Sequence, residues 1–282
     1  MIDRERWLQV FTHAVLILGV LIVAFPIYVT FVASTQALRD IMQVPMPMLP
    51  GGHLLENYLQ AITGGATSAG NSPVGIMLFN SMVMALGITF GKITISMLAA
   101  FAIVYFRFPW RMLFFWMIFI TLMLPVEVRI LPTYKVVSDL GMLDTYAGLT
   151  IPLIASATAT FLFRQFFLTI PAELFDAARI DGAGPFSFFK DILFPLSRTN
   201  IAALFVILFI FGWNQYLWPL LITTQENMYT ILIGINRMLT VGDDQAEWQI
   251  IMATTMLAMI PPVFVVVVMQ RLFVKGLIET EK

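Results

Sequence analysis

Apolar residues in this chain gather in long continuous runs, with none of the alternation that marks a half-buried strand. A helix needs roughly 20 apolar residues to cross a bilayer. Runs at 12–33, 78–105, 111–126, 145–169, 200–222 and 248–270 therefore predict an all-α membrane protein with six transmembrane helices. The third run is the shortest, because Pro125, Glu127 and Arg129 interrupt it. It predicts a tilted span, or one ending in a broken segment that neighbouring protein must cover. The first run has a long apolar core with Asp3 and Glu5 beside Arg4 and Arg6, and reads as an uncleaved anchor.

Lysine and arginine in short loops orient such proteins, whereas acidic residues contribute little. With a cytoplasmic N-terminus, the inside segments carry Arg4, Arg6, Arg107, Arg111, Arg164, Arg179, Lys190, Arg198, Arg271, Lys275 and Lys282. The outside segments carry only Arg39, Arg129, Lys135 and Arg237. Eleven against four predicts both termini inside. Two outside segments, 34–77 and 223–247, are long and rich in Gly, Pro, Asn and acidic residues, and read as periplasmic docking or lid surfaces or as linkers.

The most informative polar segment is cytoplasmic, residues 171–198, too polar to span and too patterned for a linker. It predicts two short helices and a turn. Glu173 and Asp176 place negative charge early in the first helix, and Ala177 and Ala178 are strong helix formers. Gly182 or Gly184 supplies a left-handed stop, and Pro185 suits the first position of the next helix. Phe186, Phe188, Phe189, Ile192 and Leu193 make that second helix apolar enough to pack under the spans. The first helix then projects its alanine face outward as a docking knob, with Glu173, Asp176, Arg179 and Asp181 available to pair at its rim.

The run DAARIDGA followed by DILFPL resembles the cytoplasmic EAA signature of permease subunits in type I ATP-binding cassette importers. The matching positions are Asp176, Ala177, Ala178, Asp181, Gly182, Ala183, Ile192 and Pro195. Asp176 stands where the signature has Glu, and Phe194 precedes the proline. The resemblance extends over nearly the whole chain. Residues 7–35, 91–134, 156–167 and 212–223 are similar to the permeases of glycerol-3-phosphate importers, whereas general carbohydrate-uptake permeases share a sparser pattern.

This resemblance implies one transmembrane permease domain over 1–282 with the MetI-like architecture, set in the bacterial inner membrane and surrounded by lipid. It implies a second permease subunit, a homodimer of ATPase subunits and a periplasmic binding protein as partners; no nucleic acid is among them. The 171–198 element, with Glu173, Asp176, Ala177, Ala178, Arg179, Asp181 and Gly182, would insert into a cleft on the ATPase and transmit its closure. The cytoplasmic tail 271–282 would lie against the ATPase dimer. ATP and Mg²⁺ belong to that ATPase, so the chain itself is a non-catalytic permease with no cofactor. The implied substrate is sn-glycerol-3-phosphate, with a sugar or oligosaccharide as the alternative.

The string GITFGKIT at 87–94 superficially looks like a phosphate-binding loop, but its glycines enclose three residues and Ile93 follows the lysine. Gly87 and Gly91 instead form a small-xxx-small pair for close helix approach. Lys92 is the clear intramembrane charge, placed either to meet an anionic substrate or to snorkel. Arg129 is a second phosphate candidate, or a partner for Glu127. Asn214 and Tyr216, beside Trp213, Gln215 and Trp218 in the fifth span, read as translocation-path residues, since amides within an apolar helix face protein or a water-filled cavity.

Composition narrows the field further. Of 282 residues, 59% are hydrophobic and 12% charged, against roughly a quarter charged in soluble domains. Cysteine is absent, which excludes disulfides and thiolate metal sites, and His13 and His53 lie far apart. The middle spans offer no carboxylate relay of the kind that ion-coupled carriers use. Motifs HExxH and GxSxG are missing, so a membrane enzyme is disfavoured.

Overall fold

The computed structural model describes residues 2–66, 72–240 and 246–279, with side chains described from Trp7 to Gln270 apart from Leu122, Val126 and Glu127 within those ranges. Every regular element among the described residues is helical. The order begins α1 (Ile2–Ser34), α2 (Leu38–Ile41), α3 (Leu54–Gly64), α4 (Val74–Tyr105), α5 (Arg111–Ile120), α6 (Val126–Asp139), α7 (Tyr146–Thr150) and α8 (Ala157–Thr169). It continues with α9 (Ala172–Ile180), α10 (Pro185–Ser187), α11 (Phe194–Leu196), α12 (Arg198–Trp213), α13 (Leu217–Ile222), α14 (Ile231–Leu239) and α15 (Trp248–Glu279).

Three helices contain unbroken segments long and apolar enough to cross a bilayer: Trp7–Ser34, Val74–Tyr105 and Trp248–Gln270. The other apolar runs are broken, and prolines account for much of this. After α5 a 3₁₀ turn over Thr121–Met123 leads to Leu124 in an extended conformation, as the residue before a proline prefers, and Pro125 then caps α6. Pro152 sits in the 3₁₀ turn Ile151–Leu153 that follows α7. Ser156 restarts the chain as the N-cap of α8, its side chain accepting from the Ala159 amide at 3.3 Å. The two pieces, Tyr146–Leu153 and Ala157–Thr169, bend by 50°. In the fifth run, Pro219 has no N–H for a helical bond to the Gln215 carbonyl, and α12 stops at Trp213 before α13 begins at Leu217.

The chain divides into two compact units. The first comprises Met1–Met77 and Gly234–Ile260. Within it, the transmembrane part of α1 is almost wholly exposed, with Trp7 at 76% and Val23 at 72%, as a surface meant for lipid or another subunit requires. The segment after α1, expected as a loop, is stitched around Asn57 of α3. The Asn57 amide donates to the carbonyls of Ser34 and Gln36, both at 2.9 Å, and the Thr35 hydroxyl accepts from the Gly51 amide at 2.8 Å. The two histidines stay local: His13 Nδ1 lies 2.7 Å from the Gln9 carbonyl and His53 Nδ1 lies 2.9 Å from Glu56.

The second unit comprises Leu78–Ile233 and Pro261–Lys282 and carries two apolar cores. One joins α4, α6, α13 and the loop before α14 through Met84, Ile88, Val137, Trp218, Ile222 and Met228. The other joins α4, α8, α9, the π-helical turn Phe188–Leu193 and α12 through Phe101, Phe163, Phe167, Ala178, Phe188 and Leu208. Gly87 and Gly91 let α4 approach the end of α7. A Cβ on Gly87 would lie 2.8 Å from Thr150 Cγ2, and one on Gly91 2.8 Å from Ile154 Cβ, both too close for a side chain.

Candidate functional site

The element expected at 171–198 folds as a helix, a left-handed turn and a second helical segment. Pro171 caps α9, Glu173 sits in its first turn and Arg179 in its last, matching the helix dipole at both ends. Gly182 ends it with φ +79°. The Ala183 amide donates to the Ala178 carbonyl at 2.8 Å and the Gly182 amide to Arg179 at 3.1 Å, the paired bonds of a Schellman motif. Pro185 then opens α10, with Gly184 at φ −72° as its cap.

Which side chains face out differs from the sequence expectation in two places. Ala178 is 5% exposed and packs into the Phe101–Phe188 core, so the alanine pair is divided, with Ala177 outward and Ala178 inward. Phe186, expected among the packed residues, is 75% exposed. Phe186 and Phe188 lie two residues apart and so on opposite sides of the helix, and the wider π-helical turn brings Leu193 round to the buried side with Phe188. Ile180 is 86% exposed. The outer surface thus combines two large apolar side chains with Glu173, Asp176, Arg179 and Asp181, all exposed. None of those four makes an ion pair among the described residues; Arg179 lies 5.8 Å over the Phe175 ring. An apolar centre with a charged rim is the composition of a protein docking surface. The knob is anchored beneath by aromatic packing: Phe188 lies 5.0 Å from Phe175 and 5.1 Å from Tyr105, ring centre to ring centre.

The candidate pathway residues occupy a second region. Lys92 is buried in α4, with Nζ 3.8 Å from the centre of the Phe211 ring of α12. Phe211 is one turn before the break in the fifth run, where Asn214 and Tyr216 are exposed. The neighbouring Trp213 and Trp218 are buried, and Trp218 Nε1 donates to the Gly148 carbonyl at 3.1 Å, pinning α13 to α7. Arg129 is exposed on α6, near enough for its charge to act on Lys92. No anion neutralises either cation among the described residues; the Glu127 side chain, expected as a partner of Arg129, lies outside them. Chemically, a buried cation beside an unwound helix break can receive an anion. The tail expected to lie against the ATPase dimer, 271–282, falls outside the described residues in its side chains and, from 280, in its backbone.

Sequence reading missed Asp144, which clasps the segment after α13. Its amide donates to the Ile222 carbonyl at 3.0 Å, and its carboxylate accepts from the amides of Thr224 at 2.6 Å and Gln225 at 3.0 Å and from the Thr224 hydroxyl at 2.6 Å. Asp144 has φ 52°, a left-handed conformation that Asp and Asn tolerate better than most residues. Partial burial pushes its carboxyl upward, but the Thr224 hydroxyl and the two amides outweigh this and hold it below the ordinary carboxylate value. Its contribution is therefore complete above the ordinary value of about 3.9 and lost as pH falls through the depressed folded value. Asp144→Ala is expected to destabilise by about 1.5 kcal/mol at neutral pH, near the low end for hydrogen bonds to a partly solvated charge. Thermal unfolding should show that difference shrinking as pH falls below about 4, whereas Asp144→Asn should keep the backbone turn and lose less.

Residues 92–279 match the family described as binding-protein-dependent transport system inner membrane component. The sn-glycerol-3-phosphate transport system permease protein UgpE of Agrobacterium fabrum is 64% identical over 282 residues, covering all of both chains. The protein of the same name from Brucella melitensis is also 64% identical over the full length of both. Among solved structures, a bacterial ABC transporter described as involved in the import of the acidic polysaccharide alginate shares the fold, with a TM-score of 0.81 at 20% identity over 95% of this chain and 96% of that one. The all-helical fold, the exposed apolar span surfaces and full-length identity to named permeases agree, and the chain belongs to the family of binding-protein-dependent transport system inner membrane components.

Proposed function

We propose that this chain is one of two permease subunits of an ATP-driven importer of sn-glycerol-3-phosphate in the bacterial inner membrane. The observation that carries the substrate reading is the 64% identity, without gaps in coverage, to proteins named for that transport system. The chain itself is a permease and not an enzyme, and a separate ATPase subunit binds ATP and Mg²⁺. Six spans are the reading that accommodates three long helices, the bent pair Tyr146–Leu153 and Ala157–Thr169, the apolar α12, which a 72° bend sets off from the cytoplasmic Pro185–Leu196, and the shorter apolar helix Arg111–Ile120. The excess of basic residues on one side supports cytoplasmic termini.

The α9 knob docks in a cleft of the ATPase, with Ile180 and Phe186 as apolar anchors and Glu173, Asp176, Arg179 and Asp181 at the rim. Ala177 and Gly182 lie at its exposed surface, and Ala178 secures it to the spans. ATPase closure draws α9 inward, and the aromatic core beneath it carries the motion into α4 and α8, turning the pathway from inward-facing to outward-facing. A periplasmic binding protein then delivers substrate against the outer segments, and the second permease completes the pathway. Lys92 and Arg129 offer positive potential to the phosphate, while Asn214 and Tyr216 line the unwound part of the fifth span.

The test is uptake of labelled glycerol-3-phosphate and of maltose by proteoliposomes holding this chain, the second permease, the ATPase and the binding protein. ATP-dependent uptake of the phosphate ester alone is expected. Uptake of maltose alone would keep the transporter class and overturn the substrate, and uptake without ATP would overturn the class.

A further inference from the structure

A cleft of 870 Å³ lies between the end of α4, the start of α5, the end of α8, and α9 with the turn that follows it. Three arginines line it: Arg107 and Arg111 from the α4–α5 connection and Arg179 from α9. Asp176 is the one carboxylate on its wall, so the positive charges outnumber it. Neither Arg107 nor Arg111 makes an ion pair or hydrogen bond among the described residues. Arg164 adds a fourth guanidinium nearby, although it does not line the cleft. It stacks 4.4 Å over Phe115, one turn along α5 from Arg111, and its Nε is buried without a hydrogen-bond partner among the described residues.

The walls are apolar in a way that a site for a soluble anion would not require. Phe106 and Leu168 line the cleft while remaining 41% and 53% exposed. Trp110, between the two arginines, is 74% exposed and held at φ 65°, a conformation unfavourable for a bulky residue. Beyond it, α5 presents Leu113, Phe114 and Met117, about half exposed, as a continuous apolar surface. Cations at the end of a span, an outward tryptophan and an apolar track along the span match the three zones of a phospholipid: headgroup, interface and acyl chain.

We propose that this cleft holds the phosphate headgroup of an anionic phospholipid of the cytoplasmic leaflet, with Arg107 and Arg111 gripping the phosphate and Arg179 reaching it from α9. Guanidinium groups suit this role because they form paired hydrogen bonds with phosphate oxygens. The lipid thereby bridges the span ends and the knob that docks on the ATPase. The leaflet, though not the lipid chemistry, rests on the orientation proposed above.

The experiment uses the assembled transporter, delipidated and placed in nanodiscs of phosphatidylcholine with a minor share of phosphatidylglycerol. Native mass spectrometry then counts the phosphatidylglycerol retained. The unmodified complex is expected to retain one molecule more than R107Q/R111Q, whose retention at this site should fall on the order of tenfold or more. R107K/R111K, which keeps the charges, should hold the lipid more strongly than the glutamine variant. Equal retention in all three complexes overturns the proposal. So does displacement of the lipid by millimolar inorganic phosphate, which would make this a site for the soluble anion.

A photoactivatable phosphatidylglycerol tests the unmodified complex without relying on a variant's folding. Labelling is expected on the peptide containing Phe106 and Trp110, and absence of label there overturns the proposal. Orientation is read separately, because the chain lacks cysteine and R107C can be probed with a membrane-impermeant thiol reagent. Labelling of R107C from the outside would overturn the orientation while leaving the nanodisc result to stand or fall alone.

Discussion

Gly182→Trp should abolish most ATP-driven uptake and most substrate-stimulated ATPase activity while leaving the chain inserted and folded. Two effects combine at this position. Gly182 adopts φ +79°, where any L-residue bears a strain of roughly 1–2 kcal/mol, so the Schellman turn after α9 loosens. A Cβ here meets nothing within 4 Å in the chain itself, so the strain is backbone alone and the side chain projects into open space. In the proposed docking, that space is where the ATPase approaches, beside Ile180 and Phe186. Gly182→Ala isolates the strain without the bulk and should reduce coupling only a few-fold, whereas the tryptophan adds steric exclusion, with every 1.4 kcal/mol lost from docking costing about tenfold in affinity. Uptake, stimulated ATPase activity and co-purification of the ATPase measure the difference. Normal substrate-stimulated ATPase activity in the tryptophan variant would remove the coupling assignment from α9.

The three long apolar helices were legible because length and apolar content act locally, and the turn after α9 because Gly182 and Pro185 carry their backbone preferences with them. What escaped depended on residues distant in sequence or on pitch. The 34–77 and 223–247 segments read as loops because they are too polar to span, yet they contain α3 and α14, which are amphipathic and short. Residues 127–139 continue as α6, although charges at Glu127, Arg129 and Lys135 argued for an exposed connector; Val137 is buried against α4 and α13, and Ile130 and Tyr134 pack around it. Asp144 gave no local signal, since its partners Thr224 and Gln225 are 80 and 81 residues away. Lys92 was legible as an intramembrane charge, but its partner ring, on the distant α12, was not. Phe186 was expected to pack because its helix reads as apolar over much of its circumference, and Ala178 to face outward because the two alanines were read as one face, whereas residues one or two apart on a helix point in different directions.

The divided faces of the 185–193 segment predict opposite consequences for two phenylalanines only two residues apart. Phe188 is 1% exposed and packs against Phe101, Tyr105 and Phe175, so it joins the knob to α4. Phe188→Ala leaves a cavity in that joint and should destabilise the chain by about 3–5 kcal/mol, the range for a buried phenylalanine. Its thermal unfolding should shift downward even without the ATPase, and α9 should lose its rigid seat. Phe186, 75% exposed, contributes little to the isolated chain. Phe186→Ala should leave unfolding of the permease within about 0.5 kcal/mol of the unmodified protein, as for surface substitutions generally. Its cost should appear on docking, where truncating an apolar anchor typically costs about 2 kcal/mol or more. The pair thus separates transmission from docking: Phe188→Ala lowers stability and uncouples an ATPase that still binds, whereas Phe186→Ala weakens ATPase binding in a permease of unchanged stability. If both variants left ATPase binding and thermal unfolding alike, α9 and the turn after it would be a surface connector, and the force from ATP would have to enter the spans elsewhere.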